Sequence, residues 1–205
     1  MLKRLFHIAI VLLLLCACGS REAKQMLDKA EDVINENPSE AITILNSISI
    51  DGLSHSQCMR RLLLLTNAQN KCDTMFRSDS IQRMLVDYYD HHGSANDQML
   101  AHYLLGRARY DMGEVPAALN SFQNAANCAD TTDFECNYAQ LSRVYAQMSE
   151  IFYYQNLIEE DLKYNNLAIR YAWKAKDTLA AILTIAGNIA VYKKNGNARL
   201  CALHL

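Results

Sequence analysis

The chain contains 205 residues with 20 basic and 22 acidic side chains, and its formal charge at pH 7 is −2. Nucleic-acid binding normally requires clustered lysines and arginines, which this sequence lacks, so we expect no nucleic-acid partner. With two prolines and seven glycines, the chain has too few turn-forming residues for a sheet-rich fold. The composition therefore predicts an all-α protein.

The N-terminal segment has the composition of a secretion signal. Two basic residues, Lys3 and Arg4, precede an apolar run over residues 5–15 that is interrupted by His7. Spanning a bilayer takes about 20 apolar residues, so this run is too short to cross one. A charged start, a short apolar run and small residues after it are typical of a secretion signal.

The end of this segment, Leu15-Cys16-Ala17-Cys18, resembles the lipobox of bacterial lipoproteins. The resemblance implies cleavage before Cys18, a diacylglycerol on its thiol, and a further acyl chain such as palmitate on its amine. It divides the chain into a signal peptide (1–17), a lipid anchor with its linker (18–24) and a helical repeat domain (25–205). An ordinary secretion signal and an uncleaved anchor are the alternatives.

The cysteines beyond the predicted anchor are Cys58, Cys72, Cys128, Cys136 and Cys201. Cys58 and Cys72 fall on one predicted helix and are about 21 Å apart along it, which is too far for a disulfide. Cys128 and Cys136 flank a predicted turn, so a disulfide between them is geometrically possible. The alternative is that both are small buried residues, because free cysteine packs well in protein interiors.

Capping residues and apolar periodicity predict a series of helices. Asn37-Pro38-Ser39-Glu40 combines a capping side chain, a proline at the first helical position and a glutamate at the third. The same capping pattern recurs at Asp79, Ser94 and Thr132. The predicted helix-ending glycines, which need a left-handed backbone, are Gly93, Gly113 and Gly196. Apolar residues return every three or four positions over 21–36, 38–48, 55–74, 79–92, 95–112, 116–128, 133–155, 158–175 and 178–194.

The order and spacing of Gly106, Gly113, Ala118, Phe122 and Ala125 resemble a tetratricopeptide repeat (TPR). The resemblance implies antiparallel helix pairs, with small residues where two helices touch and Phe122 in the gap between neighbouring pairs. It therefore implies an all-α fold in which such pairs stack as a short, right-handed TPR-like solenoid.

Two positions depart from the repeat motif. His102 stands where the family often has tryptophan, and Arg109 stands where it prefers tyrosine. A second unit, with Tyr145, Phe152 and Ala168 at the corresponding places, matches more weakly. One unit therefore carries most of the resemblance.

In the tetratricopeptide family the first helix of each pair lines the inner surface of the superhelix. Tyrosines beside an arginine suit peptide recognition there, because they combine rigid apolar area with polar tips. The alternative for Tyr103 and Tyr110 is that they pack between helices. Carried onto this chain, the implied partner-binding groove is Tyr103, Arg107, Tyr110, Arg143, Glu150 and Tyr153.

Several stretches together resemble a group of lipid-anchored TPR proteins common in Bacteroidetes. They are residues 30–34, 38–48, 78–81 and 104–107. The resemblance implies a membrane-anchored scaffold for an unidentified protein or peptide, without catalysis of its own, in the cell envelope on the periplasmic face of the outer membrane. A glycan-capturing or hydrolytic lipoprotein and a subunit of the outer-membrane assembly machinery are the alternatives.

No motif for catalysis or cofactor binding stands out. The sequence lacks a Gly-rich phosphate loop, a Gly-x-Ser-x-Gly turn and a His-Glu-x-x-His pair, so we expect no catalytic or cofactor site. His91 and His92, with Asp87 and Asp90, come nearest to a metal site. They fall in the last turn before Gly93, where histidine favourably faces the helix dipole, and we interpret them as solvated capping residues.

The C-terminal residues resemble an incomplete repeat. Residues 180–192 have the pattern of the first helix of a further pair, whereas 197–205 offer apolar residues without a polar outer face. Terminal repeats normally carry such a face, so the chain resembles a truncated member of its family and we expect self-association through this end. The alternative is a terminal segment that folds back as a cap. The residues expected to be partly uncovered are Ile182, Ile185 and Ile189.

The lipid anchor is tested by Cys18→Ala. One acyl chain gives only marginal membrane binding, whereas two or more hold stably, at about 0.8 kcal/mol per buried methylene. We expect the variant to leave the membrane or to persist as an uncleaved precursor, as measured by fractionation and mass spectrometry. Cys16→Ala is the matched control and should change neither. An unaltered mass and membrane fraction for Cys18→Ala would contradict the anchor.

Overall fold

The computed structural model describes residues 21–194, and every regular element in that range is a helix. The all-α prediction is therefore confirmed. No helix among the described residues is long and apolar enough to cross a membrane. The helices are α1 (21–33), α2 (Pro38–Ser47), α3 (His55–Lys71), α4 (Ser80–His92), α5 (Ala95–Asp111), α6 (Val115–Cys128), α7 (Tyr138–Tyr154), α8 (Ile158–Lys174) and α9 (Thr178–Lys194). The lipobox with Cys18, and Gly196 and Cys201, lie outside the described residues.

The described residues form two compact units, which divide between Met75 and Phe76. In the first unit, α1, α2 and α3 share a core of apolar residues. Arg60 of α3 forms ion pairs with Asp28 and Glu31 of α1. Arg61 Nε donates a 2.7 Å hydrogen bond to the carbonyl oxygen of Leu45, near the end of α2. These arginines tie both earlier helices to α3, because each reaches a different neighbour.

In the second unit each helix from α4 to α9 packs against the next one in the chain, and α5 also contacts α7. Contacts across α5 and α6 run in opposite order along the two helices. Gly106 of α5 meets Phe122 of α6, and the later residue Arg109 donates a 2.9 Å hydrogen bond to the earlier Ser121. The predicted stack of antiparallel helix pairs is confirmed, which is a solenoid-like arrangement.

Gly106 of α5 lies in tight contact with Phe122 of α6. A Cβ atom at this position would lie 2.5 Å from both Cδ1 and Cε1 of Phe122, whose ring is fully buried. The Tyr103 ring packs against the Phe122 ring, with 5.8 Å between the ring centres. Because the enclosed ring has no room to shift, only glycine fits here without strain.

Most helix starts follow their capping residues. The Asn37 side chain accepts a hydrogen bond from the backbone of the third residue of α2, and Ser94 forms a full capping box with Asp97 at the start of α5. Ser54 and Gln57 form another capping box before α3, which the sequence analysis did not single out.

The start of α7 differs from the prediction, which placed it at residue 133. Asn137 is the actual cap, since its side chain accepts from the amide of Gln140, and the helix begins at Tyr138. Thr132 does not cap a helix. Its amide and hydroxyl both donate to the Asp130 carboxylate, at 2.9 and 2.6 Å. This local bonding competes with helix formation and delays α7 by several residues.

Gly93 and Gly113 both end helices, but their backbones differ. Gly113 is left-handed, with φ of 78°, as predicted. Gly93 is extended, with φ of −96°, so the prediction of a left-handed residue is wrong there. Crowding explains the glycine at position 93 instead, because a Cβ there would lie 2.7 Å from Cδ1 of Tyr89 and 2.9 Å from the Tyr89 carbonyl oxygen.

The turn that contains Gly113 recurs after α3, α7 and α8. In each case the amide of the next residue donates to a carbonyl in the last helical turn, as in Glu114 to Arg109 at 2.8 Å and Asp177 to Ala172 at 3.0 Å. This is the Schellman motif, which requires positive φ at its central residue. Those residues are Asp73 (54°), Gly113 (78°), Asn156 (59°) and Lys176 (59°).

The crowding at Gly106 is tested by comparing two glycine-to-alanine substitutions. Alanine in a helix interior normally stabilises by about 0.5–1 kcal/mol relative to glycine, but overpacking costs about 1–3 kcal/mol. We expect Gly106→Ala to lower the free energy of unfolding by about 1–2 kcal/mol. The matched control is Gly187→Ala in α9, where a Cβ would meet only Asn165 Nδ2 at 3.8 Å, and it should raise that free energy.

Both variants are measured by urea unfolding at low protein concentration, so that any association contributes little. Equal changes of the same sign at the two glycines would show that helix propensity, and not contact with Phe122, decides the effect.

Candidate partner-binding surface

A chain of polar side chains links α5 to α7. The guanidinium of Arg107 donates to Gln147 Oε1 and lies 3.4 Å from Asp111 Oδ1. The Gln147 amide in turn donates to Glu150 at 3.0 Å. Asp111 also accepts from the backbone amide of Phe76 at 2.9 Å. These contacts hold Arg107 and Glu150 in defined positions, because each has a fixed neighbour.

Tyr110 lies against the same polar chain. The Arg107 guanidinium sits 5.6 Å from the centre of its ring. Partial burial, and after it the nearby Glu150 carboxylate, raises the pKa of the Tyr110 hydroxyl. Tyr154 of α7 is a further neighbour of this hydroxyl. The structure thus brings three of the predicted groove residues, Arg107, Tyr110 and Glu150, into one cluster.

The other predicted groove residues lie in different surroundings. Tyr103 is 7% exposed and packs on Phe122. It therefore packs between helices, which was the alternative, and does not line the predicted groove. Arg143 is exposed on α7. Tyr153 is exposed and its ring meets that of Tyr154 edge-on, with 5.6 Å between the ring centres.

Sequence reasoning missed the two residues that complete this cluster. Tyr154 is one of the most exposed aromatic side chains, at 71%. Gln147 joins the two helices, although its sequence context carries no signal beyond its place one helical turn before Glu150. We call the cluster the α5–α7 surface. Its members are Arg107, Tyr110, Gln147, Glu150, Tyr153 and Tyr154.

A series of near-parallel aromatic rings fixes α7 on its other side, against α8. The rings follow the order Tyr138, Tyr171, Tyr145, Tyr164 and Phe152. Successive ring centres are 6.0, 5.5, 6.3 and 5.2 Å apart, with interplanar angles from 11° to 24°. The Lys174 ammonium lies 4.9 Å from the Tyr138 ring centre. The rings pack the seam between the two helices and so orient the face of α7 that belongs to the α5–α7 surface.

Asp161 is a buried carboxyl between α7 and α8. It is 3% exposed and accepts a 2.5 Å hydrogen bond from the Ser149 hydroxyl. Burial raises its pKa above the ordinary 3.8, although the hydrogen bond from Ser149 opposes the shift. The adjacent Glu159 and Glu160 are exposed. The three residues form the first turn of α8, and only one of them enters the interior.

His91 and His92 occupy the last turn of α4 and are exposed. Their Nδ1 atoms donate to the carbonyl oxygens of Asp87 and Tyr88, at 2.8 and 2.9 Å. Among the described residues, no group of three histidine, cysteine or acidic side chains is arranged to hold a metal ion. The histidines thus lie in the last turn of α4, as predicted, and their rings bond to carbonyl oxygens of that helix.

Cys128 and Cys136 are free thiols, so the disulfide that their spacing allowed is not formed in the structure. Burial raises the pKa of both thiols. The charges beside them differ: Asp90 of α4 acts on Cys128, whereas Asp130 and Lys174 act on Cys136. The two thiols therefore have different neighbours, and the cysteines pack separately as small residues.

Comparison with known proteins leaves the fold as the only shared property. No protein-family model matches the sequence, and no curated protein matches it. Among solved structures, the chain is similar to the crystal structure of BtubC (BKLC) from P. vanneervenii, with a TM-score of 0.56 and 9% sequence identity over 92% of this chain and 70% of that chain. At this identity the similarity shows the all-helical fold alone.

The buried carboxyl gives a pH-dependent prediction for Asp161→Asn. Because the pKa of Asp161 is raised in the folded protein, ionisation destabilises the fold. This penalty is absent below the unfolded pKa near 3.8 and is fully present above the folded pKa. We expect the melting temperature of the variant, relative to wild type, to rise as the pH increases from about 3.5 to 7.

Ser149→Ala is the companion variant. It removes the hydrogen bond that stabilises the ionised carboxylate, so its melting temperature relative to wild type should fall over the same pH range. Differences that do not change with pH would contradict a raised pKa at Asp161.

Proposed function

We propose that this protein is a lipid-anchored scaffold that binds another protein or a peptide through the α5–α7 surface and has no catalysis of its own. The observation that carries the proposal is the combination of fixed polar groups with exposed tyrosines. Arg107 and Glu150 are held by Gln147, whereas Tyr153 and Tyr154 are 42% and 71% exposed. Tyrosine and arginine are enriched among the residues that dominate binding energy at protein interfaces.

The charges on this surface favour a particular kind of partner segment. Arg107 is paired with Asp111, whereas the hydrogen bond to Glu150 comes from the neutral amide of Gln147. A lysine or arginine of the partner would match the Glu150 carboxylate, and an apolar neighbour in the same segment would cover the ring of Tyr154. We therefore propose a segment with a basic residue beside an apolar one.

The anchor and the family belong to the same proposal. Acylation at Cys18 would hold the α5–α7 surface beside a membrane and raise its effective concentration towards partners on that membrane. We propose the periplasmic face of the outer membrane, and membership of the lipid-anchored TPR proteins common in Bacteroidetes, on the sequence resemblances given above. The stacked helix pairs support this, because arrays of this kind present extended binding surfaces.

The proposal is tested by site-specific photo-crosslinking in the native host. A photoreactive phenylalanine analogue replaces Tyr154, and mass spectrometry identifies what it captures. The matched control places the same analogue at Trp173 on α8, which is 49% exposed. We expect a defined crosslinked partner from position 154 that is missing from position 173.

The same partner is then measured against Tyr153→Ala and Arg107→Glu. Truncation of a dominant interface residue costs about 2 kcal/mol or more, so capture should fall at least about tenfold with Tyr153→Ala. Arg107→Glu should also reduce capture, because it removes the donor that holds Gln147 and so releases Glu150 from the position that the partner's basic residue must meet. Circular dichroism checks that helix content is kept. Capture that is unchanged in both folded variants would remove the α5–α7 surface from the proposal.

A further inference from the structure

The outward face of α9 is apolar, and none of the residues that the structure describes covers it. Leu179, Ile182 and Leu183 are 67%, 54% and 63% exposed, and Ile185 is partly exposed. The sequence from Thr178 to Tyr192 contains no charged side chain. The expectation that isoleucines on this helix are partly uncovered is therefore confirmed for Ile182, Ile185 and Ile189, since Ile189 is also partly exposed.

Comparison with α7 shows that this apolar face is a property of α9 and not of the array. Both helices have 17 residues, and when their first residues are aligned, Ala181 corresponds to Leu141 and both are buried. At the matching outward position, α7 carries the charged Arg143, whereas α9 carries Leu183. If the outward face of α9 were in contact with solvent, we would expect polar side chains on it, as on the outward face of α7.

The exposed side chains on the outward face of α9 are large in the first half of the helix and small in the second half. Its large exposed residues, Leu179, Ile182 and Leu183, come first along the helix, whereas the exposed residues that follow, Ala186 and Gly187, are small. In an antiparallel pair of identical helices, the first half of each lies on the second half of the other. Large side chains of one copy then fall on small residues of its partner, which is the arrangement that packs apolar layers best.

We infer that α9 is a homodimer interface, in which the α9 helices of two copies pair antiparallel about a twofold axis. The axis passes between Thr184 and Ile185, so that Leu183 of each copy faces Ala186 of the other and Ile182 faces Gly187. Such an interface is isologous, because the same patch serves both copies. The lack of charge from Thr178 to Tyr192 suits this occupant, since each copy presents an equally apolar stretch to the other and the pairing buries no charged side chain along it. The inference does not depend on the α5–α7 surface.

The interface is tested by sedimentation velocity on the chain without residues 1–18, under reducing conditions and over a concentration series. We expect a reversible monomer–dimer equilibrium for the wild type. Leu183→Glu should raise the dissociation constant at least tenfold, because it buries two carboxylates near the axis. The matched control is Met84→Glu on α4, which substitutes a residue of similar exposure, 55%, and should leave the dissociation constant unchanged.

A rescue variant tests the antiparallel register. Adding Ala186→Lys to Leu183→Glu places each introduced carboxylate opposite an introduced ammonium of the other copy, so the dimer should return. Leu179→Gln, at the most exposed leucine among the described residues, is a second weakening variant should Leu183→Glu fail to fold. A wild-type monomer at every concentration would overturn the inference, as would association that survives Leu183→Glu, falls equally with Met84→Glu, or is not rescued by Ala186→Lys.

Discussion

The contact between Gly106 and Phe122 sets the distance between α5 and α6, and much of the second unit is positioned through it. The distance between packed helices, usually about 8–10 Å between axes, depends on the side chains at the contact, and here the buried Phe122 ring leaves no room for a Cβ. α6 packs against α7, and α5 also reaches α7. The spacing at one glycine therefore determines whether Arg107 can reach Gln147, and so whether the α5–α7 surface forms.

Polar contacts take over where the chain departs from the aromatic pattern of the tetratricopeptide repeat that its sequence resembles. Arg109, at a position where that family prefers tyrosine, lies 3.5 Å from Asp79 and 2.9 Å from the hydroxyl of Ser121. Asp79 precedes α4 but does not cap it with its side chain, because that carboxylate is engaged by arginines. His102 is similarly bound to Asp90, at 3.0 Å. Directional bonds in place of ring packing fix the register of α4, α5 and α6 relative to one another.

The helices were predictable from sequence because their capping groups are local. Asn37 and Ser94 act on amides a few residues away, and no distant part of the chain is needed to recognise them. Thr132 failed as a cap because Asp130 competes for the same groups. Gly93 failed as a left-handed residue because its constraint comes from the Tyr89 ring, which only packing reveals.

The candidate site was predictable only in part, for a related reason. The family pattern placed Arg107, Tyr110 and Glu150 on one face, and the structure brings them together. Tyr103 obeys the same spacing yet packs inward on Phe122. Tyr154 lies outside the pattern yet is 71% exposed. Which tyrosine turns inward depends on where the neighbouring helix leaves space, and periodicity along a single helix does not contain that information.

The left-handed backbone at Lys176 weakens the turn between α8 and α9. A left-handed backbone costs a residue with a side chain about 1–2 kcal/mol, and a lysine has no side-chain amide with which to offset it. The α8–α9 contact beyond this turn includes two hydrogen bonds of Asn188, which accepts from Asn165 at 2.5 Å and donates to Asn166 at 3.2 Å, whereas α7 and α8 are joined by the aromatic series. Helices in such arrays are stabilised by their neighbours, so in a single copy the α8–α9 contact opens more readily than the α7–α8 contact. Amide hydrogens of α9 then exchange before those of α7 in the monomer, and pairing of two α9 helices would slow that exchange.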